Sequence, residues 1–204
     1  MQAPHPKFDT WGDYLNYSYA NLNALCYAEA EGIRERNRVF YLIRAKAYKA
    51  YIEGRWNIHS LYAENREKML NAGYCYYCGC KISAKDRTAD HIIPRIKGGD
   101  DTMDNLLIAC KHCNSSKGSL DLFEWYFTKL GYWPNIWLIV HYMKQIYMFS
   151  KENGLLEKSR EQLFREELPF KIQYIPYAWP PPKNWIDNNL DEEYPYTDYI
   201  DLEW

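Results

Sequence analysis

The chain has 204 residues, a formal net charge of −2 and 47% apolar residues. The apolar content is enough for a hydrophobic core, which excludes wholesale disorder, and the charge is not that of a free-standing nucleic-acid binder. No export signal is visible at the start, and the longest apolar run, 136–140, is too short to span a bilayer. We therefore expect a cytoplasmic protein with no membrane partner, built as one large domain or as a small domain with substantial flanks.

Apolar residues at helical spacing predict that the N-terminal part of the chain is helical. A first helix is expected over 11–30, with Asp9 or Thr10 as its N-cap. A longer helix over 33–53 and a shorter one over 58–71 should follow. Three successive helices are therefore expected before the first pair of cysteines.

Two C-x-x-C pairs enclose the middle of the chain. Cys75 and Cys78 form the first pair, and Cys110 and Cys113 form the second. Four thiolates in two such knuckles are typical of a structural Zn²⁺ site, whose closed tetrahedral shell leaves no open position for chemistry. Cys80 lies two residues beyond the first pair, so a shifted ligand register is the alternative.

Between the two cysteine pairs the pattern changes to short strands. We expect a hairpin with a first strand over 88–93 and a second strand over 106–109. Asp90 and His91 lie near the end of the first strand. An imidazole next to a carboxylate, inside a loop that a metal closes, indicates a catalytic site more than a purely structural one.

Helical patterns return after the second cysteine pair. We expect a helix over 120–130 with Ser119 as its N-cap, and then a helix over 135–150. The second of these is apolar nearly all round and should be buried. A charged, amphipathic helical stretch is expected over 152–167.

The tail, 169–204, is rich in proline and in acidic and aromatic residues. Between 187 and 204 it has seven Asp and Glu residues and no Lys or Arg, with Trp and Tyr interleaved. This composition favours an extended, wrapping conformation over a regular helix. The tail either lies on its own domain or docks on a basic or aromatic groove of a protein partner, and the sequence leaves both open.

The middle of the chain resembles the HNH nuclease family in its four-cysteine form. The resemblance is carried by D-H-I-I-P at 90–94, K-G-G-D at 97–100, N-L at 105–106 and C-x-x-C-N at 110–114. It implies an α+β fold, in which a small ββα-metal nuclease core is stapled by a four-cysteine zinc site within a mainly helical shell.

The resemblance also implies a role for each polar residue of the motif. His91 is the general base, because a neutral imidazole takes a proton near pH 7, and Asn105 orients the His91 loop through its amide. Asp90 and Asn114 offer hard oxygens to one catalytic Mg²⁺ or Mn²⁺ ion. Asn114 stands where the family often has His, so the chain is an H-N-N variant. The alternatives are a structural His91, a turn-forming Asn105 and a capping Asn114.

Three basic residues flank the motif, namely Arg95, Lys97 and Lys117. Together they are expected to contact nucleic-acid phosphates, although solubility explains any one of these charges equally well. Gly98 and Gly99 allow the backbone to approach a strand closely.

These features predict a metal-dependent HNH endonuclease that hydrolyses DNA, and they do not separate DNA from RNA as the substrate. One alternative is an effector subunit of a prokaryotic or phage defence assembly that is active only with a partner. Another is a non-catalytic zinc module that binds nucleic acid. Four regions are expected: a helical N-terminal region, 1–72; the nuclease core, 73–131; a helical C-terminal region, 132–168; and the tail, 169–204.

Overall fold

The computed structural model describes residues 7–33, 37–58, 73–102 and 104–179. Apart from Ile58, the predicted helix over 58–71 lies outside the described residues, as does the tail beyond Trp179. Within the described residues, helices are combined with one small antiparallel sheet, in agreement with the predicted α+β class. None of the described helices has both the length and the apolarity that crossing a membrane requires.

Two packed helices form the N-terminal part. Helix α1 spans Trp11–Ala30, as predicted, and the Thr10 hydroxyl caps it by accepting a hydrogen bond from the amide of Asp13. Helix α2 spans Arg38–Ile52 and begins later than predicted. The later start follows from Asn37, whose side chain accepts hydrogen bonds from two first-turn amides that would otherwise have no partner.

A two-stranded hairpin positions the acidic-His pair. Strand β1, Arg87–His91, runs antiparallel to strand β2, Leu106–Cys110. Asp90 lies opposite Leu107, and β1 ends at His91, before the predicted end at residue 93. His91 is therefore the last strand residue before the chain enters the loop that connects the two strands.

A short helix that the sequence did not predict follows the hairpin directly. Helix α3 spans Lys111–Lys117, and the Cys110 side chain caps it by accepting a hydrogen bond from the amide of Cys113. A cysteine cap and a run of polar residues carry no recognisable helix signal. Helix α3 packs on both strands of the hairpin, so it brings the second cysteine pair and Asn114 next to β1 and β2.

The expected helix over 120–130 begins at a different cap. Helix α4 spans Leu122–Trp125, and the chain continues as a wider helical turn over Tyr126–Leu130. The cap is Asp121, and the prediction of Ser119 was wrong. The buried Asp121 carboxylate accepts hydrogen bonds from two amides of the first turn and a third from the backbone of Lys171.

Helix α5, Ile136–Glu152, agrees with the predicted buried helix, and Asn135 caps it. The helix predicted over 152–167 was wrong, because only one turn of it forms: helix α6, Arg160–Leu163. Gly154 has a left-handed backbone that ends the preceding helix, and Ser159 begins the new turn with a capping box.

One hydrophobic core joins residues from α1, the hairpin, α5 and the start of the tail. The described part of the tail, 170–179, lies along α1. Ser18 donates a hydrogen bond to the carbonyl of Pro176 over 2.8 Å and accepts one from the Trp179 indole over 3.0 Å. Residues 170–179 therefore belong to the fold that supports the site.

Candidate active site and metal centre

Four cysteine sulfurs gather at the base of the hairpin. The Sγ atoms of Cys75, Cys78, Cys80 and Cys110 all lie within 4.8 Å of one another. Backbone amides support them: the Cys110 amide donates to Cys75 Sγ over 3.3 Å, and the Cys113 amide donates to Cys110 Sγ over 3.4 Å. Clustered thiols that accept amide hydrogen bonds fit a tetrahedral Zn²⁺ site.

One thiol of the cluster, that of Cys78, has a lowered pKa. Partial burial raises the pKa of Cys78, but the Cys80 amide and the neighbouring thiols lower the pKa by more, to about 7. A thiol with such a pKa is about half ionised near neutral pH, and the thiolate is the form that binds a metal.

Cys113, the fourth ligand expected from the sequence, lies at the edge of this group. It is buried, and burial followed by hydrogen bonding with Cys110 raises the pKa of its thiol. Its thiol also interacts with Cys78, while the exposed Cys80 lies inside the close group. The close group therefore contains Cys80 and not Cys113, and these two cysteines are the candidates for the fourth ligand beside Cys75, Cys78 and Cys110.

The Asp90 carboxylate is buried and makes two polar contacts near the end of β1. Its Oδ2 atom accepts a hydrogen bond of 2.7 Å from the Tyr77 hydroxyl and lies 3.2 Å from the Lys117 ammonium. The Asp90 residue is only 7% exposed. A buried carboxylate held by a hydroxyl and an ammonium has a fixed orientation, as a metal ligand requires.

Lys117 was expected at the surface as a phosphate contact, but its side chain is 0% exposed. Its ammonium donates a hydrogen bond of 2.7 Å to the His91 carbonyl and pairs with Asp90. Burial lowers the pKa of Lys117, and the Asp90 carboxylate opposes that change. Lys117 therefore links the end of α3 to the end of β1, and a buried charge can hold this position only because it is paired.

The His91 imidazole is partly open to solvent, with its side chain 21% exposed. Its Nε2 atom lies 2.7 Å from Oδ1 of Asp101, in the loop between the strands. The Arg95 Nε atom lies 3.5 Å from the same oxygen. Hydrogen bonding with His91, followed by the charge of Arg95, lowers the pKa of Asp101, so its carboxylate is ionised across the neutral range.

Asn105 closes the loop that follows His91. Its side chain is buried and makes three hydrogen bonds: Oδ1 accepts from the Ile93 amide over 2.8 Å, and Nδ2 donates to the carbonyls of Ile93 and Asp100 over 3.0 and 2.9 Å. The loop is drawn so tight that a Cβ atom on Gly99 would lie 1.8 Å from the Ile93 carbonyl oxygen. Only glycine fits there, and the loop conformation is therefore determined by Asn105 and Gly99 together.

Asn114 sits in α3 beside the first strand. Its Nδ2 atom donates a hydrogen bond of 3.3 Å to the carbonyl of Ala89, the residue before Asp90. The remaining polar atom of its side chain is the amide oxygen, which is a hard ligand. A carboxylate from β1 and an amide oxygen from α3 are the donor types that Mg²⁺ and Mn²⁺ prefer, so the residues present fit such an ion.

The other basic residues lie on the short helical turn Arg95–Lys97, within the same loop. Arg95 is exposed and Lys97 is half-buried. Both therefore belong to the loop that carries Asp101.

Comparisons with known proteins agree with this arrangement. Over residues 75–121, the chain matches the HNH endonuclease family. The resemblance drawn from the sequence is thereby confirmed for that segment, which begins at the first cysteine of the cluster and ends at Asp121.

The chain also resembles a small part of a much longer protein. The chain is 34% identical over 71 residues to the CRISPR-associated endonuclease Cas9 of Corynebacterium diphtheriae. The match covers 34% of this chain and 6% of the relative, so the chain spans a small fraction of that protein. No solved structure matches the chain.

Two side chains of the HNH segment that contact the candidate site were not predicted from the sequence. Asp101 was visible only as the second of two adjacent acidic residues, ten positions after His91. Tyr77, between the first two cysteines, offered no signal beyond its aromatic ring, yet its hydroxyl holds Asp90. Both contacts arise from loop and knuckle geometry rather than from local sequence pattern.

Proposed function

We propose that the chain is a metal-dependent HNH endonuclease that hydrolyses phosphodiester bonds of DNA. The observation that carries the proposal is the His91 imidazole, which is partly exposed, held by a carboxylate and adjacent in sequence to the buried Asp90. The match of residues 75–121 to HNH endonucleases supports the same activity.

In the proposed reaction, His91 takes a proton from a water molecule as the water oxygen bonds to phosphorus. The bond from phosphorus to the 3′ oxygen breaks, the leaving oxygen takes a proton from solvent water, and the products are a 5′-phosphate and a 3′-hydroxyl. Asp90 and Asn114 would hold one Mg²⁺ or Mn²⁺ ion, which supplies charge neutralisation to the phosphorane and the leaving oxygen. Arg95 and Lys97 lie close enough to His91 in the chain to contact flanking phosphates.

The proposed catalytic core is the ββα-metal unit formed by β1, β2 and α3. The hairpin supplies Asp90 and His91, and α3 supplies Asn114. Thiolates from both knuckles would hold a structural Zn²⁺ at the opposite side of this unit, where it keeps the short α3 against the sheet.

A second candidate function is that of a nuclease subunit in a prokaryotic or phage defence assembly. It is favoured by the likeness to a CRISPR-associated endonuclease and by the net charge of −2, which gives little intrinsic attraction to phosphates. In this case a protein partner would present the nucleic acid.

The deciding experiment is incubation of the purified chain with supercoiled plasmid and Mg²⁺, Mn²⁺ or EDTA. We expect nicked or linear product with either ion and none with EDTA. The variant His91→Ala should lose about 10²- to 10⁴-fold in rate, which is the usual contribution of a general base. Zinc content and the melting temperature should stay those of the unchanged protein.

His112→Ala is the matched control, because His112 is an exposed imidazole in the first turn of α3. We expect it to cleave like the unchanged protein. If His91→Ala nicks plasmid as fast as the unchanged protein, the assignment of His91 as the base is overturned. If the unchanged protein leaves both plasmid and RNA intact with either ion, then the chain alone is not a nuclease, and the partner-dependent function replaces the proposal.

A further inference from the structure

The contact between His91 and Asp101 has a chemical consequence for the proposed nuclease, on which this inference rests. A neutral imidazole has one nitrogen that donates a hydrogen bond and one that accepts. An ionised carboxylate only accepts. At the 2.7 Å contact with Asp101, Nε2 of His91 must therefore carry the proton, and the lone pair belongs to Nδ1.

We propose that Asp101 is the positioning residue of the catalytic base: it orients the His91 ring and selects the tautomer in which Nδ1 accepts the proton from water. A carboxylate that holds one imidazole nitrogen in this way also stabilises the imidazolium that forms during the reaction. Asp101 does not touch the substrate, and it acts only through His91.

Hydrogen bonds hold the loop backbone on both sides of Asp101. The carbonyl of Asp100 accepts the hydrogen bond from Asn105 Nδ2 over 2.9 Å. The Asp100 carboxylate accepts two hydrogen bonds from Thr102, one from its amide over 3.1 Å and one from its hydroxyl over 2.7 Å. The residues before and after Asp101 are therefore anchored, and its side chain meets His91 because the loop is held in one conformation.

This arrangement lets Asn105 influence the proposed reaction indirectly. Asn105 is buried and its side chain makes hydrogen bonds with Ile93 and Asp100, which lie in different parts of the loop. By joining Ile93, near the start of the loop, to Asp100, it fixes the distance between the strand end, where His91 lies, and the turn that carries Asp101. Asn105 thus supports the base through Asp101 rather than by a contact of its own.

The role of Asp101 is orientation rather than stability. Its side chain is 63% exposed, and exposed ion pairs contribute little to the free energy of folding. The Arg95 Nε atom lies 3.5 Å from the Asp101 oxygen that contacts His91, and this ion pair restricts the carboxylate further. A replacement of Asp101 should therefore change the chemistry and leave the fold unchanged.

The first test compares Asp101→Ala and Asp101→Asn with the unchanged protein in the plasmid assay, across plasmid concentrations. We expect Asp101→Ala to lower kcat by about 10- to 100-fold, as loss of a supporting hydrogen bond to a site residue does, with little change in KM. Asp101→Asn keeps an acceptor oxygen without the charge, so its kcat should lie between those of Asp101→Ala and the unchanged protein.

The control is Asp86→Ala. The Asp86 carboxylate is also open to solvent and accepts hydrogen bonds from the Ser83 hydroxyl over 2.6 Å and the Lys111 ammonium over 3.4 Å, and Asp86 lies just before β1. We expect its kcat and KM to equal those of the unchanged protein. If Asp101→Ala cleaves as fast as Asp86→Ala, the positioning role is overturned.

The second test does not depend on cleavage. The chain has five histidines, and ¹⁵N labelling of histidine with His91→Ala as the reference identifies the imidazole signals of His91. We expect the Nε2-protonated form in the unchanged protein and in Asp86→Ala, and a mixture of both tautomers in Asp101→Ala. An unchanged spectrum in Asp101→Ala would overturn the inference even if the protein is a nuclease. Loss of the single tautomer in a protein that cleaves nothing would uphold the positioning and reject the proposed reaction.

Discussion

At the scale of single residues, the proposed choice of catalytic ion depends on the position of Asn114. Its amide oxygen lies on α3 beside the strand that carries Asp90, because its Nδ2 atom is bonded to the Ala89 carbonyl. Two oxygen ligands of this kind make a hard site. An imidazole at the same position would add a borderline nitrogen ligand, which favours later transition metals.

We therefore predict that Asn114→His keeps cleavage activity but shifts its preference from Mg²⁺ and Mn²⁺ toward Ni²⁺, Co²⁺ and Zn²⁺. Asn114→Ala should lose activity and regain part of it at high metal concentration, because one ligand is replaced by water. Titration of the cleavage rate with each metal measures both effects, and the exposed neighbour Ser115→Ala is the control. An unchanged metal requirement in Asn114→Ala would make Asn114 a capping residue only.

At the scale of elements, the short helix α3 depends on its surroundings. With seven residues it is too short to be stable alone. It is held at its start by the Cys110 cap and the buried Cys113, and at its end by Lys117, which reaches the His91 carbonyl. Zinc bound by the two knuckles would add the remaining constraint, since metal binding at such a site is coupled to folding.

We predict about one Zn²⁺ per chain in the purified protein. Cys78→Ser and Cys113→Ser should give unfolded or insoluble protein, because each removes one thiol of a C-x-x-C pair. Cys80→Ser should fold and keep its zinc, because Cys80 lies outside both pairs. Elemental analysis for zinc and a thermal melt followed by circular dichroism distinguish these variants. The reverse pattern, with a folded, zinc-loaded Cys113→Ser and an unfolded Cys80→Ser, would make Cys80 the fourth ligand.

At the scale of the whole molecule, the start of the tail connects the N-terminal helix to the region that follows the HNH segment. The Trp179 ring lies 5.5 Å from Phe123 and 5.3 Å from Trp133, between ring centroids, and its indole donates to Ser18. Trp179 is 2% exposed, so one side chain buries contacts with three distant parts of the chain.

We expect Trp179→Ala to lower the free energy of unfolding by about 3–5 kcal/mol, the usual cost of removing a large buried aromatic side chain. Phe164→Ala is the control, because Phe164 is 49% exposed, and it should change the stability by about 0.5 kcal/mol or less. Urea denaturation followed by tryptophan fluorescence and circular dichroism measures both. A small loss in Trp179→Ala would mean that residues 170–179 are not required for the core.

Local signals in the sequence determined much of this protein. The helical spacing in α1 and α5, the Thr10 cap and the two C-x-x-C pairs each lie within a few neighbouring residues. Such patterns reflect backbone and side-chain preferences that do not depend on distant contacts. The motif around His91 is likewise made of short, closely spaced runs of residues, which is why the HNH resemblance is recognisable from the amino-acid sequence alone.

Only the tertiary structure decided the rest. The pairing of Lys117 with Asp90, the contact of Asp101 with His91 and the packing of residues 170–179 on α1 all join residues far apart in the chain. The single turn of α6, in place of a long charged helix, depends likewise on where the chain must go next. Lys117 turns inward to Asp90 because a buried charge needs a partner. The three hydrogen bonds of Asn105 satisfy backbone groups of a tight loop that would otherwise be unpaired.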